Sequence, residues 1–307
     1  MDSKENLLLS TEQNEENTSN CKTDLTVYIE GDYKKPHKPK KQKQKDTTKY
    51  DADFSGFYAL AELMNMSIDE ALDKCCMFQV KNLMSKMGKV IVRYNVSNDE
   101  IAKILFNTSA LGVSETLFAP AYLQSCKNEI NRNPELNQKI GVIIDFPFGE
   151  GEFKSKCVGI KESIKEGVDS VTVMIPLLLL DKDRVNELKK QLKKISKFRG
   201  VERGIAVSCA ELNEGQIKLL SKMTDRYKLS FITLVFGNVS EDELIEKVGV
   251  FSKYKGKKQL KVLANVDSAR GITELFKLNT DVILTPYADE IGKELIERFK
   301  IKSLKLK

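Results

Sequence analysis

Short hydrophobic runs alternate with amphipathic charged segments from Val90 to the end of the chain. The runs are rich in Val, Ile, Leu and Phe and begin about 22 to 34 residues apart, enough for a strand, a loop, a helix and a second loop. Each connection can therefore be a right-handed crossover between parallel strands. Eight such runs predict an α/β fold, a (β/α)8 TIM barrel, although a doubly wound sheet fits the same pattern because periodicity does not reveal strand order. The predicted strands are Val90–Arg93, Glu115–Phe118, Gly141–Phe146, Ser170–Ile175, Gly204–Ser208, Ser230–Val235, Gln259–Ala264 and Asp281–Thr285.

Helix signals fall between these runs. Ser97 followed by Glu100, and Ser240 followed by Glu243, have the spacing of capping boxes, and each opens an amphipathic segment. Gly112 stands where the first of these helices should end. The signals support the predicted alternation of strands and helices.

The barrel is predicted at residues 89–307, after two segments of different character. Residues 1–50 are rich in Lys, Glu, Asn and Gln and predict a disordered tail, whereas residues 51–88 predict two or three helices. The Lys-rich run at 34–45 indicates either a solvated linker or weak, salt-sensitive binding of a polyanion.

The composition excludes several kinds of chemistry. The single histidine, His37, lies in the predicted tail, which removes imidazole catalysis and histidine metal sites from the barrel. The six cysteines show no C-x-x-C spacing and predict reduced thiols in a cytoplasmic protein. The sequence indicates no metal, no cofactor, no secretory signal and no membrane span.

Four motifs, in this order and spacing, resemble the deoxyribose-phosphate aldolase family of TIM barrels. They are Leu117–Tyr122 (LFAPAY), Asp145–Gly149 (DFPFG), Lys161–Val171 (KESIKEGVDSV) and Val207–Cys209 (VSC). The resemblance extends from about residue 90 to the end of the chain.

The resemblance implies a class I aldolase, in which a lysine on the sixth strand forms a Schiff base with a carbonyl substrate. A second lysine on the seventh strand lowers the pKa of the first, and an aspartate on the fourth strand moves protons. At these positions the chain has Thr233, Lys261 and Thr172, so only the second lysine remains. A hydroxyl cannot form an imine, and threonine cannot replace a carboxylate base.

The phosphate-binding part of the family pattern also differs. Where the family has Gly-Gly after the seventh strand the chain has Ala264 and Asn265, and its strand-eight glycine loop is replaced by Leu284–Ala288. Pro286 has no N–H to donate and Tyr287 is bulky, so a phosphate cradle built from backbone N–H groups is not expected.

Strand parity puts Lys261 on the side that the resemblance assigns to the barrel interior. Asp145 at the end of the third predicted strand, together with Asn265 and Asp267 at the end of the seventh, is predicted to form one polar site with Lys261 at the C-terminal mouth. The predicted ligand-binding residues are Asn265, Asp267, Thr285 and Tyr287. Two alternatives stay open: Lys261 pairs with Asp145 or Asp267, or it points outward.

Apolar residues surround the predicted mouth. They predict binding of a small carbonyl ligand, a partner or a second copy of the chain, although Leu177–Leu180 could instead be the buried start of a helix. The residues are Phe146, Pro147, Phe148, Leu177–Leu180, Phe236 and Tyr287.

Three functions follow. The first is a catalytically degenerate aldolase-like barrel that acts as a binding protein. The second is a divergent lyase that uses Lys261 as the amine on a carbonyl compound. The third is polyanion binding through residues 34–45.

Overall fold

The computed structural model of this chain describes residues 77–136, 138–209 and 211–305, and the side chains of residues 77–136, 138–209 and 211–297. The predicted tail and most of the predicted helical segment at 51–88 lie outside the described residues. In the described part of that segment, 77–88, residues 77–84 are helical, and residues 87 and 88 already belong to the first strand. Within the described ranges, no helix is long and apolar enough to cross a membrane.

Eight parallel strands form a closed barrel in sequence order. The strand that closes it, β8, pairs with β1 in the register Met87↔Ile283, which an open doubly wound sheet would lack. Every predicted strand is present, and the largest shift is at β1, which begins at Met87 rather than Val90. The strands are β1 Met87–Ile91, β2 Glu115–Phe118, β3 Lys139–Ile144, β4 Ser170–Met174, β5 Glu202–Ser208, β6 Phe231–Val235, β7 Gln259–Leu263 and β8 Val282–Thr285.

A helix follows each strand and covers the outside of the barrel. The helices are α1 Asn98–Leu111, α2 Leu123–Arg132, α3 Phe153–Lys165, α4 Val185–Ile195, α5 Glu214–Arg226, α6 Glu241–Ser252, α7 Ala269–Lys277 and α8 Ala288–Lys305.

The predicted caps begin and end helices where expected. The Ser97 hydroxyl accepts a hydrogen bond from the Glu100 N–H at the start of α1. The Glu100 carboxylate forms an ion pair with the Arg93 side chain, rather than accepting from the Ser97 backbone N–H as in a complete capping box. Gly112 ends α1 with a φ of 74°, a left-handed conformation that favours glycine.

Two apolar regions flank the barrel wall. Outward-facing strand residues pack under the helices, whereas the inward-facing ones form a separate layer inside the barrel, to which every strand gives one residue. This inner apolar layer consists of Val90, Leu117, Ile143, Met174, Ala206, Val235, Leu263 and Leu284. Such layers fill a small barrel with side chains, so that its interior is a packed core rather than a pore.

Candidate functional site

Lys261 points into the barrel. Its neighbours Leu260 and Val262 belong to the outer core, and alternation along β7 therefore turns Lys261 inward. Its side chain is 4% exposed. The structure thus excludes the outward-facing alternative.

A buried ion pair crosses the barrel interior from β7 to β2. The Lys261 ammonium donates to one carboxylate oxygen of Glu115, whose side chain is 5% exposed. The Ser170 hydroxyl lies 3.2 Å from the other oxygen and donates to it. The Lys261 nitrogen also lies 4.1 Å from the centre of the Phe231 ring, a cation–π contact. Both oxygens of the buried carboxylate are therefore occupied, which is the condition for holding a charge in a core.

The ion pair lies toward the N-terminal end of the barrel. Glu115, Ser170 and Phe231 are the first residues of β2, β4 and β6. The inner apolar layer comes later along the same strands, so it lies between the ion pair and the C-terminal mouth. The pair is consequently separated from the face where TIM barrels carry out chemistry.

Two glycines make room for this cluster. A Cβ atom on Gly141 would lie 2.6 Å from the Ser170 hydroxyl, and one on Gly204 would lie 2.2 Å from the Phe231 ring. Neither distance leaves space for a larger side chain, so these strand positions need glycine to admit the Ser170 hydroxyl and the Phe231 ring.

The two threonines of the family comparison also lie inside the barrel. Thr172 and Thr233 are 1% and 0% exposed, and Thr233 pairs in register with Lys261. Considering only the residues that the structure describes, the Thr233 hydroxyl has no hydrogen-bond partner. It is an unused polar atom where the resemblance implies an imine lysine.

The Asp145 side chain stabilises the turn after β3. Its carboxylate accepts from the Gly151 N–H at 2.8 Å and pairs with the Lys156 ammonium at 2.9 Å. Lys156 is buried and also donates to the carbonyl oxygens of Gly149 and Met174. These bonds fix the turn to the end of β4. Asp145 therefore has a partner other than Lys261, and the predicted combination of the two is not formed.

The remaining predicted site residues lie around the mouth. Asn265 and Asp267 are exposed in the loop after β7, and Asn265 lines a cleft of about 320 Å³ with Asn238 and Glu241. The Thr285 hydroxyl donates to the Val266 carbonyl oxygen at 2.7 Å and accepts from the N–H of Tyr287 at 3.2 Å. The loops after β6, β7 and β8 thus bring these polar groups to one face without Lys261.

The first turn of α8 carries negative charge. Lys89 faces outward from β1 and pairs with both Asp289 and Glu290. Burial opposes ionisation of Asp289, but its hydrogen bonds with Glu290 and Lys89 and the charge of Lys89 outweigh burial and lower its pKa. Burial, followed by the hydrogen bond with Asp289, raises the pKa of Glu290. Carboxylates at a helix N-terminus disfavour phosphate there.

The apolar rim is only partly exposed. Phe148, Leu178 and Tyr287 are 67%, 43% and 40% exposed, whereas Phe236 is buried. Leu177–Leu180 forms a short 3-10 turn before α4. Leu178 is exposed at the rim, whereas Leu179 and Leu180 are buried as expected for residues that begin a helix.

Sequence reasoning missed Glu115, Ser170 and Lys156. The signal for Glu115 was available, because Glu115 stands two residues before Leu117 on β2 and side chains two positions apart on a strand point to the same side. Lys156 stands four residues before the buried Ile160 on α3, which puts it on the inner helix face.

The described cysteines are free thiols. Cys126 and Cys209 are buried and Cys157 is half-buried. Across residues 77–136, 138–209 and 211–305, the structure contains no group of His, Cys, Asp and Glu side chains that could hold a metal ion.

The chain resembles known aldolases in sequence. No protein-family model matches it. It is 24% identical to the deoxyribose-phosphate aldolase of Mycoplasmoides gallisepticum over 207 residues, which cover 66% of this chain and 91% of the relative. It is 23% identical to the deoxyribose-phosphate aldolase of Mycoplasmoides pirum over 224 residues, covering 71% and 99%.

Solved structures share the fold. An aldolase called QR15 matches with a TM-score of 0.63 and 17% identity, covering 72% of this chain and 98% of its own. A tetrameric deoxyribose-phosphate aldolase from Aeropyrum pernix matches with a TM-score of 0.61 and 15% identity, covering 75% and 95%. Similarity over nearly the whole length of these proteins makes the chain a deoxyribose-phosphate-aldolase-like TIM barrel.

Proposed function

We propose that this barrel has lost the aldolase reaction and acts as a binding protein. The observation that carries the proposal is the environment of Lys261, whose ammonium is held by Glu115 beneath the inner apolar layer. Three features of the described residues support it: the hydroxyl at position 233, the ion pair itself and the altered phosphate region.

Thr233 stands where the family resemblance implies the Schiff-base lysine. Its hydroxyl has no nitrogen lone pair to condense with a carbonyl, so the covalent step cannot occur there. Thr172 likewise offers a hydroxyl where the resemblance implies a carboxylate that moves protons.

Lys261 is a poor substitute nucleophile. An ammonium that donates to a carboxylate has no free electron pair for attack on a carbonyl carbon. A substrate entering from the mouth would also have to displace inner-layer side chains such as Leu263 and Val235. Both obstacles would have to be removed before a Schiff base could form.

The phosphate region gives independent support. Pro286 lacks an N–H, the N–H of Tyr287 is bound by Thr285, and the first turn of α8 holds Asp289 and Glu290. A phosphorylated sugar would lack the N–H donors of positions 286 and 287 and would meet the exposed carboxylate of Glu290, which argues against sugar-phosphate substrates.

We assign ligand binding to the mouth, where a small carbonyl compound would fit the cleft of about 320 Å³ beside Asn238 and Asn265. Their side-chain amides can donate to a carbonyl oxygen, and this requires no covalent bond. Asp267, Thr285 and Tyr287 belong to the same face. Assembly through the exposed rim residues Phe148 and Leu178 stays a prediction, as does polyanion binding by residues 34–45, which lie outside the described residues.

Borohydride trapping tests the loss of chemistry. The full chain is treated with deoxyribose 5-phosphate, acetaldehyde, dihydroxyacetone phosphate or pyruvate, with and without borohydride, and analysed by intact mass and peptide mapping. We expect no substrate-dependent adduct on Lys261. Lys218→Met is the matched control, because Lys218 is an exposed lysine on α5.

A substrate-dependent adduct on Lys261 that Lys261→Met abolishes and Lys218→Met retains would overturn the proposal. It would establish the divergent lyase instead. Binding at the mouth is measured separately by titrating the same compounds into wild type and Asn265→Ala, so that lost catalysis and lost binding are distinguished.

A further inference from the structure

The outer face of α4 carries an excess of positive charge. The side of the helix that is buried against the barrel consists of Leu188, Gln191, Leu192 and Ile195. From residue 188 to residue 201 the chain has six cationic side chains and no carboxylate. The six are Lys189, Lys190, Lys193, Lys194, Lys197 and Arg199. All of them except Lys189 are fully exposed, so the charge faces solvent.

These cations are not neutralised by carboxylates. Among the residues whose side chains the structure describes, none of the six forms an ion pair. The carboxylates on either side in sequence bind other residues: Glu187 pairs with Arg184 at 2.6 Å, and Glu202 pairs with Lys139 at 3.0 Å. Lysines four positions apart on a helix repel each other and destabilise it. The face therefore carries a cost that a bound anion would remove.

The positive charge extends beyond α4 on two sides. The exposed Lys161 of α3 lies near Lys194, because the charges of both oppose the rise that burial causes in the pKa of the Cys157 thiol. After α4, Arg199 lies near Arg203, where burial, followed by the charge of Arg199, lowers the pKa of the Arg203 guanidinium. The basic patch, as we define it, consists of Lys161, Lys190, Lys193, Lys194, Lys197 and Arg199.

A dense line of phosphates has the charge that complements this patch. Double-stranded nucleic acid carries one negative charge per about 1.7 Å of its axis. Cations three or four residues apart on α4 are separated by about 5 to 6 Å along the helix axis, so several of them can contact one phosphate backbone. Release of counterions from the phosphates would drive such binding, and contacts of this kind do not read the bases.

Two other classes of anionic partner need groups that α4 does not present. Helices that lie on membranes insert apolar side chains, whereas Leu188, Leu192 and Ile195 of α4 are buried against the barrel. Single-stranded nucleic acid is held by bases stacked on aromatic side chains. No aromatic residue occurs in the sequence of α4, and Phe198, just after it, packs against the core. The face therefore favours a duplex.

We propose that the basic patch binds the sugar-phosphate backbone of a double-stranded nucleic acid without sequence preference. Lys190, Lys193 and Lys194 contact the central phosphates, and Lys161 and Arg199 extend the contact to either side. The patch lies on the outer helices and consists of different residues from the barrel mouth and from the Lys-rich run at 34–45. The inference therefore does not depend on the function proposed for the mouth.

Fluorescence anisotropy of the full chain tests the proposal. The probes are a labelled RNA duplex and a labelled DNA duplex of the same sequence, which distinguish the two sources of a phosphate backbone. We expect saturable binding of at least one duplex, with affinity that falls at least about tenfold between about 50 and 200 mM salt. A second pair of duplexes with a scrambled sequence should bind equally well.

Removing four charges from the basic patch should weaken this binding. We expect the combined variant Lys190→Gln, Lys193→Gln, Lys194→Gln and Lys197→Gln to bind at least about tenfold more weakly, with a salt dependence smaller by about two to four counterions. Arginine at the same four positions keeps the charge and should preserve binding. Because the four lysines are exposed and repel each other, the glutamine variant should unfold at the same or a higher urea concentration.

Two control variants remove the same number of charges elsewhere. The first replaces four exposed lysines on other parts of the barrel and should bind like wild type; its substitutions are Lys103→Gln, Lys253→Gln, Lys257→Gln and Lys293→Gln. The second changes the run at 34–45 and should still bind more tightly than the α4 variant; its substitutions are Lys40→Gln, Lys41→Gln, Lys43→Gln and Lys45→Gln.

Four results would overturn the proposal. The first is no binding of either duplex at about 50 mM salt. The second is equal affinity of the α4 glutamine variant and the first control. The third is loss of binding from the substitutions at 34–45 while the α4 variant binds like wild type. The fourth is tighter binding of polyglutamate, or of vesicles of equimolar phosphatidylcholine and phosphatidylserine, than of the duplexes, which would assign the face to an acidic protein or a membrane.

Discussion

The two ends of the barrel interior differ in charge and in access. The N-terminal end holds a charged pair, Lys261 and Glu115, that is sealed from solvent, whereas the C-terminal end is filled by the inner apolar layer. TIM-barrel enzymes place their reactive groups at the C-terminal end. In this chain the interior charges pair with each other below the apolar layer, which is the observation that supports the proposed binding role of the mouth.

The largest expected effect comes from breaking the interior pair. Lys261→Met leaves Glu115 as an unpaired buried carboxylate and should reduce the free energy of unfolding by about 3 to 5 kcal/mol. Glu115→Leu should be similarly harmful. The double variant should regain most of the loss, because removing both charges removes the desolvation cost.

Urea denaturation of wild type, both single variants and the double variant gives the coupling energy. Two small and additive losses would mean that the pair is not buried in solution. The contrast between a buried charged N-terminal end and an apolar C-terminal end of the barrel interior would then not hold.

A smaller loss is expected at the turn beside the mouth. Lys156→Met removes three hydrogen-bonded contacts, but the Asp145 side chain is 27% exposed and can be solvated. The expected cost is about 2 kcal/mol, measured by urea denaturation. Lys154→Met is the matched control on the same turn, because the Lys154 side chain is 91% exposed, and it should leave stability unchanged.

Equal losses of stability in Lys156→Met and Lys261→Met would contradict the prediction that the cost is set by how deeply the carboxylate partner is buried. Equal stability of Lys154→Met and Lys156→Met would instead remove the structural role of the Lys156 contacts.

The ion pairs on α8 predict that the free energy of unfolding changes with pH in the acid range. Asp289 has a lowered pKa in the folded protein, so its contribution is present above the ordinary pKa of about 3.9 and is lost as the pH falls through the lowered value. Glu290 has a raised pKa and acts in the opposite sense, costing stability as the pH rises toward that value.

Unfolding free energies at pH 7, 5, 4 and 3 should therefore fall less steeply below about pH 4 for Asp289→Asn than for wild type. Glu290→Gln should gain a little stability at neutral pH. Identical profiles for wild type and Asp289→Asn would contradict the contribution of Lys89 to Asp289.

The smallest effect concerns the buried thiols. Burial raises the pKa of Cys126 to about 12 and raises the pKa of Cys209, so few thiolates form at pH 8. Iodoacetamide at that pH should modify Cys157 faster than either, since Cys157 is only half-buried. Peptide mapping before and after unfolding in urea measures the rates. Rapid native alkylation of Cys209, which follows β5, would indicate that the mouth opens.

The alternation of hydrophobic and amphipathic segments was enough to predict all eight strands. Their ends were less certain, because pairing with neighbours decides where a strand starts. β1 begins at Met87 since Met87 and Gly88 pair with β8, and this contact forms only when the barrel closes. Strand parity predicted only that Lys261 shares a side with Leu263; the family resemblance indicated that this side is the barrel interior, and the structure excluded the outward-facing alternative.

The partners of the charged residues were not predictable in the same way. Glu115 and Lys261 are 146 positions apart, and their contact depends on how β2 and β7 face each other across the barrel. Asp145 was predicted beside Lys261, but its carboxylate instead pairs with Lys156, which lies on the helix that follows, α3. Pairings of this kind depend on the three-dimensional register of distant strands.

The sequence by itself determined the order of strands and helices, the absence of histidine from the barrel and the threonine at position 233, because these depend only on residue identity and local spacing. The tertiary structure decided that Glu115 neutralises Lys261, that an apolar layer covers the pair and that the Gln191 side-chain oxygen has no hydrogen-bond partner among the described residues. Barrel closure and helix packing bring together residues that are distant in sequence, and only those contacts decide whether a buried polar group has a partner.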